Sequence, residues 1–291
     1  MKLIAPKYYK DFVCIADKCK HSCCIGWEID VDETALDKFK SLDHPYAKSI
    51  LSSIDISDTP HFRLASDERC PHLDCGGLCK IIKNVGEDYL CDICREHPRF
   101  YNFTNRGKEV GLGMSCEEAC RLILSRDDFD EFIEICDCCG ELVIYDFDAT
   151  DYITQIYKTL KDSSLSFHSK LSTLCEQYKI SIDWNDFLEA LSELEYLSDN
   201  HKQIICNAEK LDFNNLYEEK LVRALAYFVF RHCSESDNEE ELRIYLAFSI
   251  ALTLLIASIS KKIPIEEAAR IVSEEIEYSE DNTETIKSIF Y

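Results

Sequence analysis

The sequence predicts a mainly α protein in two parts. Residues 1–120 read as an irregular, cysteine-rich metal-cluster module with short strands, and residues 121–291 as an acidic helical bundle. Three observations carry this division. Eleven of the 17 cysteines and seven of the eight glycines fall before residue 121. Beyond it, apolar residues recur at three- and four-residue intervals, the period of a helix with one buried face. The charge is also uneven: residues 1–120 hold 16 Lys+Arg and 20 Asp+Glu, whereas residues 121–291 hold 16 and 35.

In the first part, a helix is expected over "DETALDKFKSL", with Asp32 as its N-cap. A strand pair is expected over "RFYNFT" and "KEVGLGM", turned by "NRG". The glycines between these elements supply the permissive backbone that ligand loops need. In the second part, helices are expected over "CEEACRLILSRDDFDEFIEI", "YITQIYKTLKD", "DWNDFLEALSELEYL", "LYEEKLVRALAYFVFRHC" and "EEELRIYLAFSIALTLLIASISKK". "IPIEEAARIVSEEIE" follows, with Pro264 near its start and acids in its first turn, and "DNTETIKSIFY" closes the chain as a short helix. "ELVIYDF", Glu141–Phe147, reads as a strand. No fixed-period repeat is visible.

Composition removes several classes. The chain has 291 residues and 46% hydrophobic content, enough for one large or two smaller cores. The longest apolar run, Ile244–Ile259, is shorter than the ~20 residues that span a bilayer, so a core helix and no membrane span are expected. The N-terminal "MKLIAPKYYKDFV" does not read as a secretory signal, which points to the reducing cytoplasm. Clustered cysteines there signify metal or redox chemistry rather than a disulfide scaffold. A net charge of −23 argues against nucleic acid as a partner.

The cysteines form groups at ligand spacings. Cys14, Cys19, Cys23 and Cys24 come first, beside Lys18, Lys20 and His21. Adjacent cysteines strain to reach one metal, so Cys23 or Cys24 is free to face a second metal or the core. Cys70, Cys75 and Cys79 lie in "CPHLDCGGLC", a tight loop, and Cys91 and Cys94 have the knuckle spacing of zinc and iron–sulfur sites. Cys116 and Cys120 share one face of a helix start, where a thiolate is favoured, although Cys120 suits packing equally. Cys136, Cys138 and Cys139 read equally as ligands or buried thiols; Cys175, Cys206 and Cys233 read as core. Structural zinc competes with an iron–sulfur cluster throughout. Arg95 and Arg99, beside Cys94, suit an anionic cluster or a carboxylate, or else ordinary surface ion pairs. Tyr89, Glu96 and Tyr101 are nearby candidates for proton transfer. Nucleotide-loop, zinc-protease and nucleophile-elbow motifs are absent, and so is the CxxxCxxC of radical S-adenosylmethionine enzymes.

Several stretches together resemble the flagellin lysine-N-methylases, part of a wider cysteine-cluster group described as zinc- or iron-chelating. They are "FVCIADKCKHSCCIGWEIDVD", "CPHLDCGGLCKI", "GEDYLCDICREHPRFYN" and "MSCEEACRLIL", with "YFVFRHC" and "SEEIEYSEDNTETI" in the helical half. The resemblance implies metal ligation by Cys14, Cys19, Cys23, Cys24, Cys70, Cys79, Cys94 and Cys116. It also matches Gly26, Trp27, Arg95, Pro98 and Arg99. Cys75, Cys91 and Cys120 stand outside the shared pattern. The activity implied is methyl transfer from S-adenosylmethionine to lysines of flagellin. An iron–sulfur cluster, 4Fe–4S with zinc as the alternative, is implied as cofactor. The other reading is a non-catalytic metal-binding protein.

Overall fold

The computed structural model describes residues 2–137, 144–209 and 217–291. The chain folds into two compact units, one of Val13–Pro98 and one of the segment up to Phe12 together with Arg99–Tyr291. These limits differ from the break expected at residue 120. Residues 99–120 join the helical unit because their strands complete a sheet with the N-terminal strand.

The chain opens with β1 (Lys2–Pro6) and a 3₁₀ turn, then enters the smaller unit. There α1 (Glu33–Ser41) starts where expected: Asp32 is extended, and its Oδ1 accepts from Ala35 N at 2.9 Å. Ala35 and Phe39, four residues apart, turn inward together. α2 (Ala47–Ser52) follows. β2 (Ile54–Asp55) and β3 (His61–Phe62) then form a minimal antiparallel pair. α3 (Lys80–Val85) ends at Gly86, whose φ of +98° is a conformation that favours glycine. α4 (Asp92–Glu96) completes the unit. Phe39, Ile50 and Phe62 centre its small core, and two thiols, Cys70 and Cys91, are part of that core.

The larger unit resumes with β4 (Arg99–Thr104) and β5 (Gly107–Leu112). They pair antiparallel from Arg99↔Leu112 to Thr104↔Gly107, around the turn that "NRG" announces. α5 (Glu117–Ser125) follows, then β6 (Phe132–Asp137). β6 corrects the expectation that the helix beginning near Cys116 runs on through "FDEFIEI". Arg126 closes α5 by forking onto Asp128 at 3.1 and 2.7 Å and reaching Asp11 at 2.6 Å. Phe132–Asp137 then gains ladder partners on β1. The sheet order is β4-β5-β1-β6, with β1 parallel to β5. The expected strand Glu141–Phe147 lies partly outside the described residues, and Ile144–Phe147 form no strand.

α6 (Thr150–Lys161), α7 (Phe167–Tyr178), α8 (Trp184–Glu193), α9 (Asp199–Cys206), α10 (Glu218–Phe228), α11 (Glu239–Ile259), α12 (Ile265–Val272) and α13 (Glu280–Ser288) build the bundle. α11 is apolar all round, the signature of a helix surrounded by others. It is long and apolar enough to cross a membrane, yet 83% of its most apolar window is buried inside the protein. Asn238 caps it, accepting from Glu241 N at 2.9 Å. α10 and α12 each end in a π turn, Val229–Cys233 and Ser273–Glu277.

Candidate metal centre

The smaller unit gathers thiols from three stretches of chain. Cys70 N donates to Cys24 O at 2.8 Å, and Ile25 bridges Arg69, so the first cysteine group lies against the second. The "CPHLDCGGLC" loop folds back on itself: Asp74 Oδ1 accepts from Gly76 N at 2.8 Å and Leu78 N at 2.9 Å, and Leu73 bridges Cys79. Cys79 sits at the N-cap of α3 and Cys91 at the N-cap of α4, one turn from Cys94. Asp32 ties this frame together. While Oδ1 caps α1, Oδ2 accepts from Asp92 N at 2.8 Å, so one carboxylate holds the first turns of both α1 and α4. Burial opposes its charge, but these N–H donors keep its carboxyl below the ordinary range.

Cys24, Cys70, Cys79, Cys91 and Cys94 lie close enough to shift one another's titration. Burial pushes the Cys70 thiol up to about 11 and raises Cys79; in both cases the Cys24 thiolate adds to the effect. Burial, then Asp32 and Cys70, lifts Cys91 to about 12. Cys94 is raised by burial and by all four of the others. Cys24 alone moves down, to about 7, chiefly through the neighbouring Cys23 thiol. Buried thiols that would repel as thiolates want a cation among them, and soft thiolate donors suit zinc or iron. The donor set therefore fits a metal or an iron–sulfur cluster.

Of the eight cysteines implied by resemblance, Cys24, Cys70, Cys79 and Cys94 belong to this group, with Cys23 beside Cys24. Cys14 is exposed, and Cys19 donates to His21 O at 3.1 Å. Cys116 belongs to the other unit, as N-cap of α5. Cys120, on the same helix, is 1% exposed and donates to Glu266 O, a packing role. Cys75 is exposed at its loop. Cys91, outside the shared pattern, is 1% exposed inside the thiol group, and its CxxC spacing with Cys94 was the signal for that placement. Cys136 is exposed; of the three cysteines expected in the core, Cys233 is buried, Cys175 is half-buried against the core and Cys206 is exposed, contrary to expectation; Cys138 and Cys139 lie outside the described residues. His72, though flanked by cysteines, has both ring nitrogens engaged, by Tyr46 Oη at 2.8 Å and Ser53 Oγ at 2.9 Å. Arg95 engages Asp92 and Glu96 on its own helix. Arg99, in the larger unit, donates from Nε to Tyr9 Oη at 2.9 Å and lies over the Tyr9 and Phe12 rings. Tyr89 packs on the small core, and Tyr101 lies under Lys108 Nζ at 3.8 Å.

The larger unit holds a buried polar centre that the sequence reading passed over. Glu277, on the second π turn, accepts from Tyr227 Oη at 3.0 Å and His232 Nε2 at 2.8 Å, and pairs with Arg231 Nε at 3.3 Å. Arg231 Nη1 donates in turn to Tyr227 Oη at 2.9 Å. Burial lowers His232; burial would raise Glu277, but the Arg231 charge and the His232 bond hold it below the usual carboxylate range. Gly113 gives this centre room, because a Cβ there would fall on the Tyr278 hydroxyl. His201, Glu274 and Glu275 also bring ligand atoms within 4.8 Å, yet Arg270 Nη1 holds Glu274 at 2.6 Å and Leu197 N holds Glu275 at 2.8 Å. That trio is a satisfied ion-pair network.

Two cavities among the described residues of the larger unit bear on the site. One of about 670 Å³ is lined by Phe132, Tyr157, Arg106, Lys158 and Lys161, with Asp130 and Asp162. Its two aromatic rings stack at 6.4 Å. The other, of about 280 Å³, is lined by aromatic and acidic side chains.

No family model and no solved structure matches the chain. Over 130 residues it is 27% identical to proteins named lysine-N-methylase from Salmonella choleraesuis and Salmonella typhimurium, covering 42% of this chain and 32% of each relative. Over 130 residues it is likewise 27% identical to a flagellar biosynthetic protein, FliU, of Salmonella muenchen, covering 77% of that protein. The chain thus matches about a third of the length of the two lysine-N-methylases, to which it is a distant relative.

Proposed function

We propose that the chain is an S-adenosylmethionine-dependent lysine N-methyltransferase acting on flagellin, with an iron–sulfur cluster held in its smaller unit. The observation that carries the reading is the 130-residue likeness to proteins named lysine-N-methylase and FliU. Four of Cys24, Cys70, Cys79, Cys91 and Cys94 would hold the cluster, the number of thiolates that a 4Fe–4S cluster takes. The larger cavity is the place for the cofactor. Its volume suits a nucleoside-sized ligand, the Phe132–Tyr157 stack offers an aromatic face, and Lys158 offers charge to a carboxylate. Arg95 and Arg99 suit that role less, since their guanidiniums already engage Asp92, Glu96 and Tyr9.

Methyl transfer forms an N–C bond as the sulfonium C–S bond breaks, with the electron pair leaving on sulfur. The lysine must arrive neutral, although free lysine is charged at pH 7, so an acceptor for its proton is required. Flagellin incubated with anaerobically purified protein and S-adenosylmethionine should gain mass in methyl steps. Unchanged flagellin mass with protein that holds matched iron and sulfide would overturn the reading. A second reading, metal handling without catalysis, is favoured by the thiol group standing in a compact unit of its own. Ready metal exchange without S-adenosylmethionine binding would select it.

A further inference from the structure

The helix that carries Cys94 is held in place by something other than packing. α4 is five residues long, too short to be stable by itself. Among its described residues none is buried, and Ile93, its one large apolar side chain, is 50% exposed. Cys91, its N-cap, supplies no side-chain acceptor to the first turn. α1 is the opposite case. Ala35 and Phe39 seat it in the small core, so it can serve as a platform.

Two bonds run from that platform to the segment that bears α4. Asp32 Oδ2, at the N-terminus of α1, accepts from Asp92 N at 2.8 Å, while its Oδ1 accepts from Ala35 N at 2.9 Å. Further along α1, Lys38 Nζ donates to Asp88 O at 2.9 Å. The Asp32 bond spans 60 residues of chain, so it is a tertiary contact between α1 and the turn that joins Cys91 to Cys94. The residue type is informative. Asn and Ser cap a helix about as well as Asp. Either would satisfy α1, but neither offers a second acceptor oxygen for α4. A carboxylate has two, and here both are used.

We propose that Asp32 is a positioning residue for the metal: through the Asp92 N–H it sets the start of α4, and with it the placement of Cys91 and Cys94 in the thiol group. The proposal rests on the metal reading of that group and adds the residue that orients two of its thiols. Groups standing behind the ligands of a metal site fix where those ligands point, and losing one typically costs about 10–100-fold in metal affinity. A residue that only capped α1 would be replaceable by Asn or Ser without consequence for the metal.

The test is release of metal to an excess of chelator from the full-length protein, purified anaerobically with its metal bound and followed by absorbance. Asp32→Asn and Asp32→Ser keep a cap for α1 and cut the tie to α4. Asp92→Pro cuts the same tie from the other side and leaves Asp32 and its charge in place. Proline is favoured at the first helical position, and Cys91, at φ −61° and ψ 155°, already has the extended backbone that a following proline requires. The expected result is release at least about tenfold faster in all three variants, and no faster still in the Asp32→Asn, Asp92→Pro double variant. The larger unit's melting should be unchanged throughout. Release at the parental rate in Asp32→Asn and Asp32→Ser would make Asp32 a cap for α1 alone; in Asp92→Pro it would mean that the Asp92 N–H is not the link. Either result overturns the proposal and leaves the metal reading intact. Additive effects in the double variant would overturn it as well, since the two changes would then act separately. A parent protein that holds no metal would overturn the metal reading and the proposal with it.

Discussion

The two units reach stability by different means. The larger one is built round an apolar core spanning α5 to α13, with α11 inside it and its buried charges neutralised in pairs. The smaller one has a short list of buried apolar side chains, two of them thiols, and many of its cysteines are drawn to one place. Small domains bury too little surface to stand easily alone and commonly lean on a disulfide or a metal. The contrast teaches where the proposed metal would matter most: in the smaller unit it would add to a short core, whereas in the larger unit a cysteine such as Cys120 or Cys233 is only a small apolar filler.

The sharpest way to break this comparison is to test the proposed metal by removing it. Stripping the protein with chelator, or making Cys94→Ser, should unfold the smaller unit alone, since metal binding to such sites is worth on the order of 10 kcal/mol of folding free energy. Limited proteolysis should then cut between Val13 and Pro98 and spare the chain beyond Arg99. A metal-free protein resistant throughout would make the thiols ordinary packing. Cys91→Ser should lose metal as fully as Cys94→Ser, while Cys75→Ser, exposed at its loop, should keep it. The reverse result would restore the ligand set that resemblance implies.

The converse test strikes the larger unit. Glu277→Gln strands the buried Arg231 charge and should cost about 3–5 kcal/mol in urea unfolding, with metal content unchanged. Acid should act in the same direction. His232 is held below its usual 6.5, so protons bind the unfolded chain better, and stability falls as pH drops below 6.5. Glu277 is held below 4.5, so its contribution is complete above 4.5 and is lost as pH falls through its depressed value. The urea midpoint of the larger unit should therefore decline on acidification, and Glu277→Gln should make the part of the decline below 4.5 shallower, the remainder belonging to other depressed carboxylates such as Asp128 and Glu118. The smallest effect belongs to the frame of the thiol group. Asp32→Ala removes the cap shared by α1 and α4 and should lower the smaller unit's stability by about 1–2 kcal/mol, read as a shift in its own melting step. Equal loss in both units would argue against their independence.

Local chemistry was legible in the sequence where it acts within a few residues. Asp32 ahead of a helix, "NRG" between two strands and Pro264 ahead of α12 each decide their own geometry. What depends on partners far along the chain was not. Phe132–Asp137 reads as helix by its spacing and becomes β6 because β1, more than a hundred residues earlier, offers a ladder. The π turns after α10 and α12 widen to bring Arg231 and His232 to Glu277, a match no local pattern encodes. Among the cysteines, spacing drew attention to Cys91, and the structure buries it beside Cys94.

The detour between Phe12 and Arg99 also sets an order of events during synthesis. β1 leaves the ribosome first, but its two neighbours in the sheet, β5 and β6, follow only after the whole cysteine-bearing segment. The first strand must wait as an unpaired edge through that interval, when such edges are exposed to misassociation. Metal delivery to the nascent segment would shorten the wait by fixing one unit before the other closes. Because Arg99 returns the chain to Tyr9, the detour is mounted like a cassette whose two ends meet, a form that can be exchanged between lineages without dismantling the host sheet.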